Sequence, residues 1–172
     1  MVKDYKRYRV AQMGESLVVA ELGRNGIVAT SFSGNLPEAD IVATCDGKTL
    51  LLQVKTMSGT STHVKAEDLL DIELDFPKQT VTPKPALGNP DLIFVYVQLG
   101  DNLAGVKFYI LTQLQLQEII FDGYKNYLDK NDGERPRNKE SKHASISIDQ
   151  LANFEGNWDL IKERLGMPLD QT

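Results

Sequence analysis

Apolar side chains recur along this chain at two periods, and the change from one to the other outlines its elements. Over residues 5–25, Ala11, Val18, Val19 and Leu22 fall on one side of a helix at about 100° per residue, with Val10, Met13, Leu17 and Ala20 roughly opposite. This predicts a helix that is apolar on two sides, sandwiched between neighbours and stopped at Gly26. Ile27–Phe32 is a β-branched run and predicts the first strand, followed by a loop at SGNLPE. Residues 39–45 and 48–57 predict two strands joined at Asp46-Gly47, a pair suited to the positive-φ positions of a two-residue hairpin turn. The stretch SGTST reads as loop, and EDLLDIELD is open between helix and strand. Pro77, Pro83, Pro85 and Pro90 then predict a long irregular connection. Residues 91–99 contain LIFVYV, a continuous apolar run expected for a strand buried on both faces, and 106–111 predict the next strand. Thr112 with Gln115 forms a capping-box pattern, and Leu116, Ile119, Ile120 and Tyr124 continue it as a helix. NDGERPRNKESKH is a polar, net-basic loop, Ile146 and Ile148 predict a last short strand, and a final helix runs from near Asn157 to Gly166. The order predicts an α/β fold, with a mixed central sheet flanked by helices.

Composition narrows the class. A length of 172 residues is that of one domain, taken here as 1–172, and an apolar fraction of 41% is enough for a packed core. The single cysteine, Cys45, cannot form an intrachain disulfide, which fits a reducing, cytoplasmic setting. The opening MVKDYKRYRV lacks the apolar stretch of a secretory leader, and no apolar run is long enough for a membrane span. A net charge of −5 argues against a protein that coats nucleic acid, but leaves room for an enzyme with a local basic surface.

The hairpin carries the candidate chemistry. If Asp46-Gly47 is a two-residue turn, Cys45 pairs with Lys48, and counting back places Asp40 opposite Gln53. Lys55 lies two residues beyond Gln53 and so points to the same face. On the first helix, Glu15 lies within an apolar stripe, where an unpaired carboxylate is costly. A divalent cation shared with Asp40 would satisfy it, as would a basic partner or a position at the solvent edge.

Taken in order, Gly14-Glu15, Pro37-Glu38-Ala39-Asp40-Ile41 and Leu51-Leu52-Gln53-Val54-Lys55-Thr56 resemble the PD-(D/E)XK nuclease superfamily, in particular its branch near Holliday-junction resolvases and restriction-type enzymes. The resemblance covers residues 10–57. It implies a restriction-endonuclease-like fold and metal-dependent hydrolysis of phosphodiester bonds in DNA, with RNA an alternative substrate. It implies Glu15, Asp40, Gln53 and Lys55 as catalytic residues. Mg2+ or Mn2+ would be held by Glu15, Asp40, Gln53 and the Val54 carbonyl, and Thr56 would contact a phosphate oxygen. Enzymes of this kind often act as homodimers, because two strands must be cut. The chain departs from the family at Gln53, where Glu or Asp is usual. An amide oxygen still ligates Mg2+ but brings no charge. That keeps a second reading in play, a catalytically inactive module that binds nucleic acid or protein.

Other features are weaker. Arg135, Arg137, Lys139 and Lys142 in the polar loop, and Lys78 and Lys84 in the Pro-rich segment, are candidate phosphate contacts, although runs of charge are commonly solvated faces. His63 and His143 lack zinc-ligand spacing and read as surface residues. Trp158, with Leu160, Ile161 and Leu165, reads as a core anchor.

Overall fold

A computed structural model of the chain describes residues 2–32, 39–89 and 92–169. They form two compact units, each assembled from segments distant in sequence. The first comprises Met1–Thr60, Asp91–Thr112 and Ala152–Thr172, and the second Ser61–Pro90 and Gln113–Leu151.

The first unit is a five-stranded mixed sheet with helices packed on it. Helix α1 spans Val2–Arg24, and strands β1 (Val28–Ser31), β2 (Ile41–Cys45) and β3 (Lys48–Met57) follow. Much later in the chain come strands β7 (Ile93–Gln98) and β8 (Lys107–Thr112), then helix α4 (Asp159–Leu165). The sheet order is β1-β2-β3-β7-β8. Only the β3–β7 pair is parallel, which makes β7 a central strand. Its buried positions, Ile93, Val95, Tyr96 and Val97, lie on both faces, as its continuous apolar run predicts. The turn between β2 and β3 has positive φ at both Asp46 (47°) and Gly47 (80°), the requirement of a type I′ hairpin, and it fixes Cys45 opposite Lys48. Gly26, at φ 76°, ends the turn after α1.

Burial along β3 alternates. Leu50, Leu52 and Val54 are buried and join Val18 and Leu22 of α1 and Ile161 and Leu165 of α4 in one core. Gln53 and Lys55 point to the other face. Trp158 packs at the edge of that core, its ring 5.2 Å from Phe108. The expected sandwiching of α1 is not what the structure shows. Gly14, Val18 and Leu22 are buried, but Ala11 and Ala20 are exposed and Met13 is 51% exposed. Small and flexible apolar side chains supplied the second stripe, and they tolerate solvent.

The second unit holds two short hairpin-like sheets and a helix. Strand β4 (Ser61–Lys65) pairs antiparallel with β9 (His143–Ser147), and β5 (Leu70–Asp75) pairs with β6 (Lys78–Pro83). Helix α2 (Gln113–Asp129) packs on β6 and β9, burying Leu116, Ile120, Tyr124 and Leu128. A short helix, α3 (Ile148–Leu151), follows β9. The segment expected as an irregular Pro-rich connection is therefore a hairpin over much of its length. Pro77 sits outside both strands and Pro83 ends one, so neither removes an interior ladder hydrogen bond, and Thr80, Val81 and Thr82 supply β-branched positions between them. Likewise, part of the SGTST loop is the start of β4, and Ile148 belongs to α3.

Buried polar groups tie this unit together. The Gln117 amide nitrogen donates to the carbonyls of Leu69 (2.8 Å) and Lys84 (3.0 Å). The Tyr124 hydroxyl donates to Gln79 Oε1 at 2.6 Å, and Gln79 Nε2 donates to the Lys139 carbonyl at 2.6 Å. These bonds hold the long loop after α2 against β6.

Candidate active site

The hairpin register predicted from the turn is the one observed. The β2–β3 ladder runs from Cys45↔Lys48 to Ile41↔Leu52, so the next position is Asp40 beside Gln53. The backbone of Asp40 is held on both sides: its N–H donates to the Leu52 carbonyl at 2.9 Å, and its carbonyl accepts from the Phe32 N–H at 3.0 Å. Its carboxylate is held as well. Oδ2 accepts a hydrogen bond from the Val54 N–H at 2.8 Å and another from the Gln53 side-chain amide. Oδ1 has no hydrogen-bond partner among the described residues.

Glu15 reaches the same place from α1. It is half-buried, and its pKa is raised above the ordinary 4.5, first by loss of hydration and then by the charge of Asp40, while the charge of Lys55 opposes the rise. A half-buried carboxyl group whose ionisation is opposed by a second carboxylate, with an ammonium beside it, makes an arrangement that gains from a cation. Lys55 itself is exposed and makes no hydrogen bond or ion pair among the described residues. The structure thus brings together Glu15, Asp40, Gln53 and Lys55, the four residues expected from the sequence. Val54, expected to offer its carbonyl, contributes its N–H to Asp40. Pro37 and Glu38 of the motif lie outside the described residues.

The position of Glu15 depends on its neighbour. A Cβ on Gly14 would overlap the Thr56 hydroxyl and come within 3.0 Å of Thr56 Cβ, so only glycine lets α1 lie this close to β3. Thr56 Oγ1 is buried, without a hydrogen-bond partner among the described residues, and is turned toward α1. The sequence displayed both residues, but nothing local in it indicated that they touch.

The donor set fits a divalent cation of the hard, oxygen-preferring kind. It offers the two carboxylates, with one Asp40 oxygen uncommitted, and the Gln53 Oε1 left over once Nε2 faces Asp40. Among the described residues no group of three or more His, Cys, Asp or Glu side chains gathers at one point, and here Gln53 adds an amide rather than a third carboxylate to Glu15 and Asp40.

Thr56 apart, the candidate phosphate contacts, all basic, belong to the second unit. Lys78 and Arg137 are exposed, and Lys84 is half-buried. Lys139 is ion-paired with Glu134, and Lys142 lies 3.5 Å from Glu67. Arg135 stacks against two tyrosine rings, Tyr124 at 5.0 Å and Tyr127 at 5.2 Å.

A mixed five-stranded sheet with flanking helices, built around this β-hairpin, is the restriction-endonuclease-like α/β fold. The structure is similar to that of the bacterial homing endonuclease I-Ssp6803I, with a TM-score of 0.53 and 12% identity, over 91% of this chain and 93% of that one. It is also similar to the Holliday junction resolvase Hjc of Archaeoglobus fulgidus, with a TM-score of 0.46 and 15% identity, over 93% of this chain and 98% of that one. At such identities the likeness is one of fold. No family model and no curated protein matches the chain by sequence. Among the described residues no helix is long and apolar enough to cross a membrane.

Proposed function

We propose that this chain, 1–172 acting as one functional unit, is a Mg2+- or Mn2+-dependent nuclease that hydrolyses phosphodiester bonds in DNA. The observation that supports it most directly is the convergence of Glu15 and Lys55 on an Asp40 carboxylate that β3 already holds by its own backbone. The fold shared with I-Ssp6803I, a homing endonuclease, points the same way.

Asp40, Glu15, the Gln53 amide oxygen and the Val54 carbonyl would hold a divalent cation, which would supply Lewis acidity toward the scissile phosphate and its attacking water. The chain's own residues do the rest. The Val54 N–H fixes the direction of Asp40, so its free oxygen needs little reorganisation to ligate. The Lys55 ammonium, exposed beside Glu15, orients the water and offsets charge that builds on the phosphate. Cutting both strands of a duplex calls for two such sites, hence a homodimer, working in the cytoplasm.

A second reading has its own support. Because the Gln53 amide donates to Asp40, the carboxylate has a partner without metal, as a catalytically inactive binding module would need. Two measurements separate the readings. Mg2+-dependent cleavage should be measured on duplex, branched and single-stranded DNA and on RNA, with Lys55→Ala as comparison. The nuclease reading expects a loss of about 10²-fold or more in rate for this variant, and it fails if Lys55→Ala cleaves as well as the parent. Calorimetric titration with Mn2+ should show binding that Asp40→Ala abolishes; no binding at millimolar metal supports the inactive module.

A further inference from the structure

Both histidines, set apart from the candidate active site by sequence and by unit, open onto one cavity. Strands β4 and β9 pair His63 with Ser145 and Lys65 with His143. Along both strands burial alternates, and these four residues, with Ser61, are the exposed ones, so the four form one outward face bearing two imidazoles, an ammonium and a hydroxyl. Beside it is a concavity of about 310 Å3, lined by His63, His143, Ser145, Arg135, Tyr124 and Tyr127 among others, and by no carboxylate. That volume lies at the small end of the roughly 300–1,000 Å3 typical of ligand pockets.

The pocket's contents are held in place. Arg135 lies against the rings of Tyr124 and Tyr127, and the Tyr124 hydroxyl is anchored by Gln79 and the Ser141 carbonyl. The guanidinium is therefore set in place without a carboxylate to neutralise it. Tyr127 is 41% exposed and keeps part of its ring for another partner. Fixed guanidinium, imidazole and hydroxyl donors suit a phosphate, and a partly exposed ring suits a base. A base inside a duplex has both faces covered by its neighbours, so only an unstacked one can reach a ring at the wall of a concavity.

We infer that this pocket binds one nucleotide of a single-stranded or splayed nucleic-acid segment, the phosphate on Arg135, His63 and His143 and the base on Tyr127. The choice of nucleic acid over another phosphate ester rests on the nuclease reading; the phosphate and stacking chemistry does not.

Binding of a fluorescein-labelled 12-nucleotide oligothymidylate to the full chain, followed by anisotropy in chelator, tests it. Cleavage is silent under these conditions, so failure of the pocket and failure of the nuclease reading give separate results. Tyr127→Ala should weaken oligothymidylate binding about tenfold, and Arg135→Met by a similar factor, while Tyr127→Ala changes binding of a blunt duplex of equal length by less than about twofold. His143→Ala, at an exposed strand position, should cost about fivefold and guards against misfolding of the Arg135 variant. Absence of oligothymidylate binding by the parent, binding unchanged by both Tyr127→Ala and His143→Ala, or an equal loss on the duplex would overturn the inference.

Discussion

Glu15 is a carboxyl group whose charge state the fold disturbs. Burial and the Asp40 charge raise its pKa, so the folded protein holds its proton more tightly than the unfolded chain does. The stability this confers is fully present below the ordinary value of 4.5 and is lost as pH rises through the higher folded value. Glu15→Gln removes the penalty. In the absence of metal the variant should be more resistant to urea than the parent at pH 7, and indistinguishable from it near pH 3.5, by denaturation at the two pH values. Metal affinity should change the other way, rising with pH through the titration of Glu15, because the cation requires its carboxylate form. Gln53 offers a companion test. Gln53→Glu loses the amide donor to Asp40 and sets a third carboxylate beside two others. The metal-free protein should lose stability, while Mn2+ should bind about tenfold more tightly as ligand charge increases, read by calorimetry. Unchanged affinity would mean that position 53 does not touch the ion.

Among the elements, the contact between α1 and β3 is the one on which the site's geometry depends. Gly14→Ala should cost about 1–3 kcal/mol, because the new methyl overlaps the Thr56 hydroxyl and one element must move. Combining it with Thr56→Ala takes that hydroxyl away and should restore most of the loss, helped by alanine's helix propensity, about 1 kcal/mol better than glycine's. A double-mutant cycle by chemical denaturation measures the coupling; additive effects would place the Gly14 contact elsewhere. The elements also show what a sequence reveals. The β2–β3 hairpin was legible because Asp46-Gly47 fixes register locally, and with it the alignment of Asp40, Gln53 and Lys55. The β4–β9 pair was not, since Lys65 meets His143 only through a distant closure that no local pattern marks. The β5–β6 hairpin was obscured by prolines that break ladders in strand interiors but stand harmlessly at the ends of these two strands. The two-sided apolar pattern of α1 pointed to burial that Met13 and Ala20 do not have, because periodicity records which positions could pack, not how many neighbours arrive.

For the molecule as a whole, the candidate residues are divided between units. Glu15, Asp40, Gln53 and Lys55 belong to one, while Lys78, Lys84, Arg135, Arg137, Lys139 and Lys142 belong to the other. If the second unit contacts the DNA backbone, Arg137→Ala and Lys78→Ala should each lower the slope of log K against log salt by about 0.9, measured by anisotropy between 50 and 200 mM salt. Lys142→Ala should lower it less, because Glu67 already lies 3.5 Å from that ammonium. Equal slopes for parent and all three variants would remove this surface from the binding reading.

Ile161 and Leu165 of α4 sit in the same core as Leu52 and Val54 of the hairpin, although about a hundred residues of chain separate them. A ribosome releases the candidate catalytic residues well before this part of their hydrophobic backing. Until α4 docks, the part of β3's apolar face that α1 does not cover stays bare, and its loaded face lacks full support. On the nuclease reading, cutting competence should therefore wait for α4, and a nascent chain still lacking that helix would hold every candidate reactive group without full support behind it.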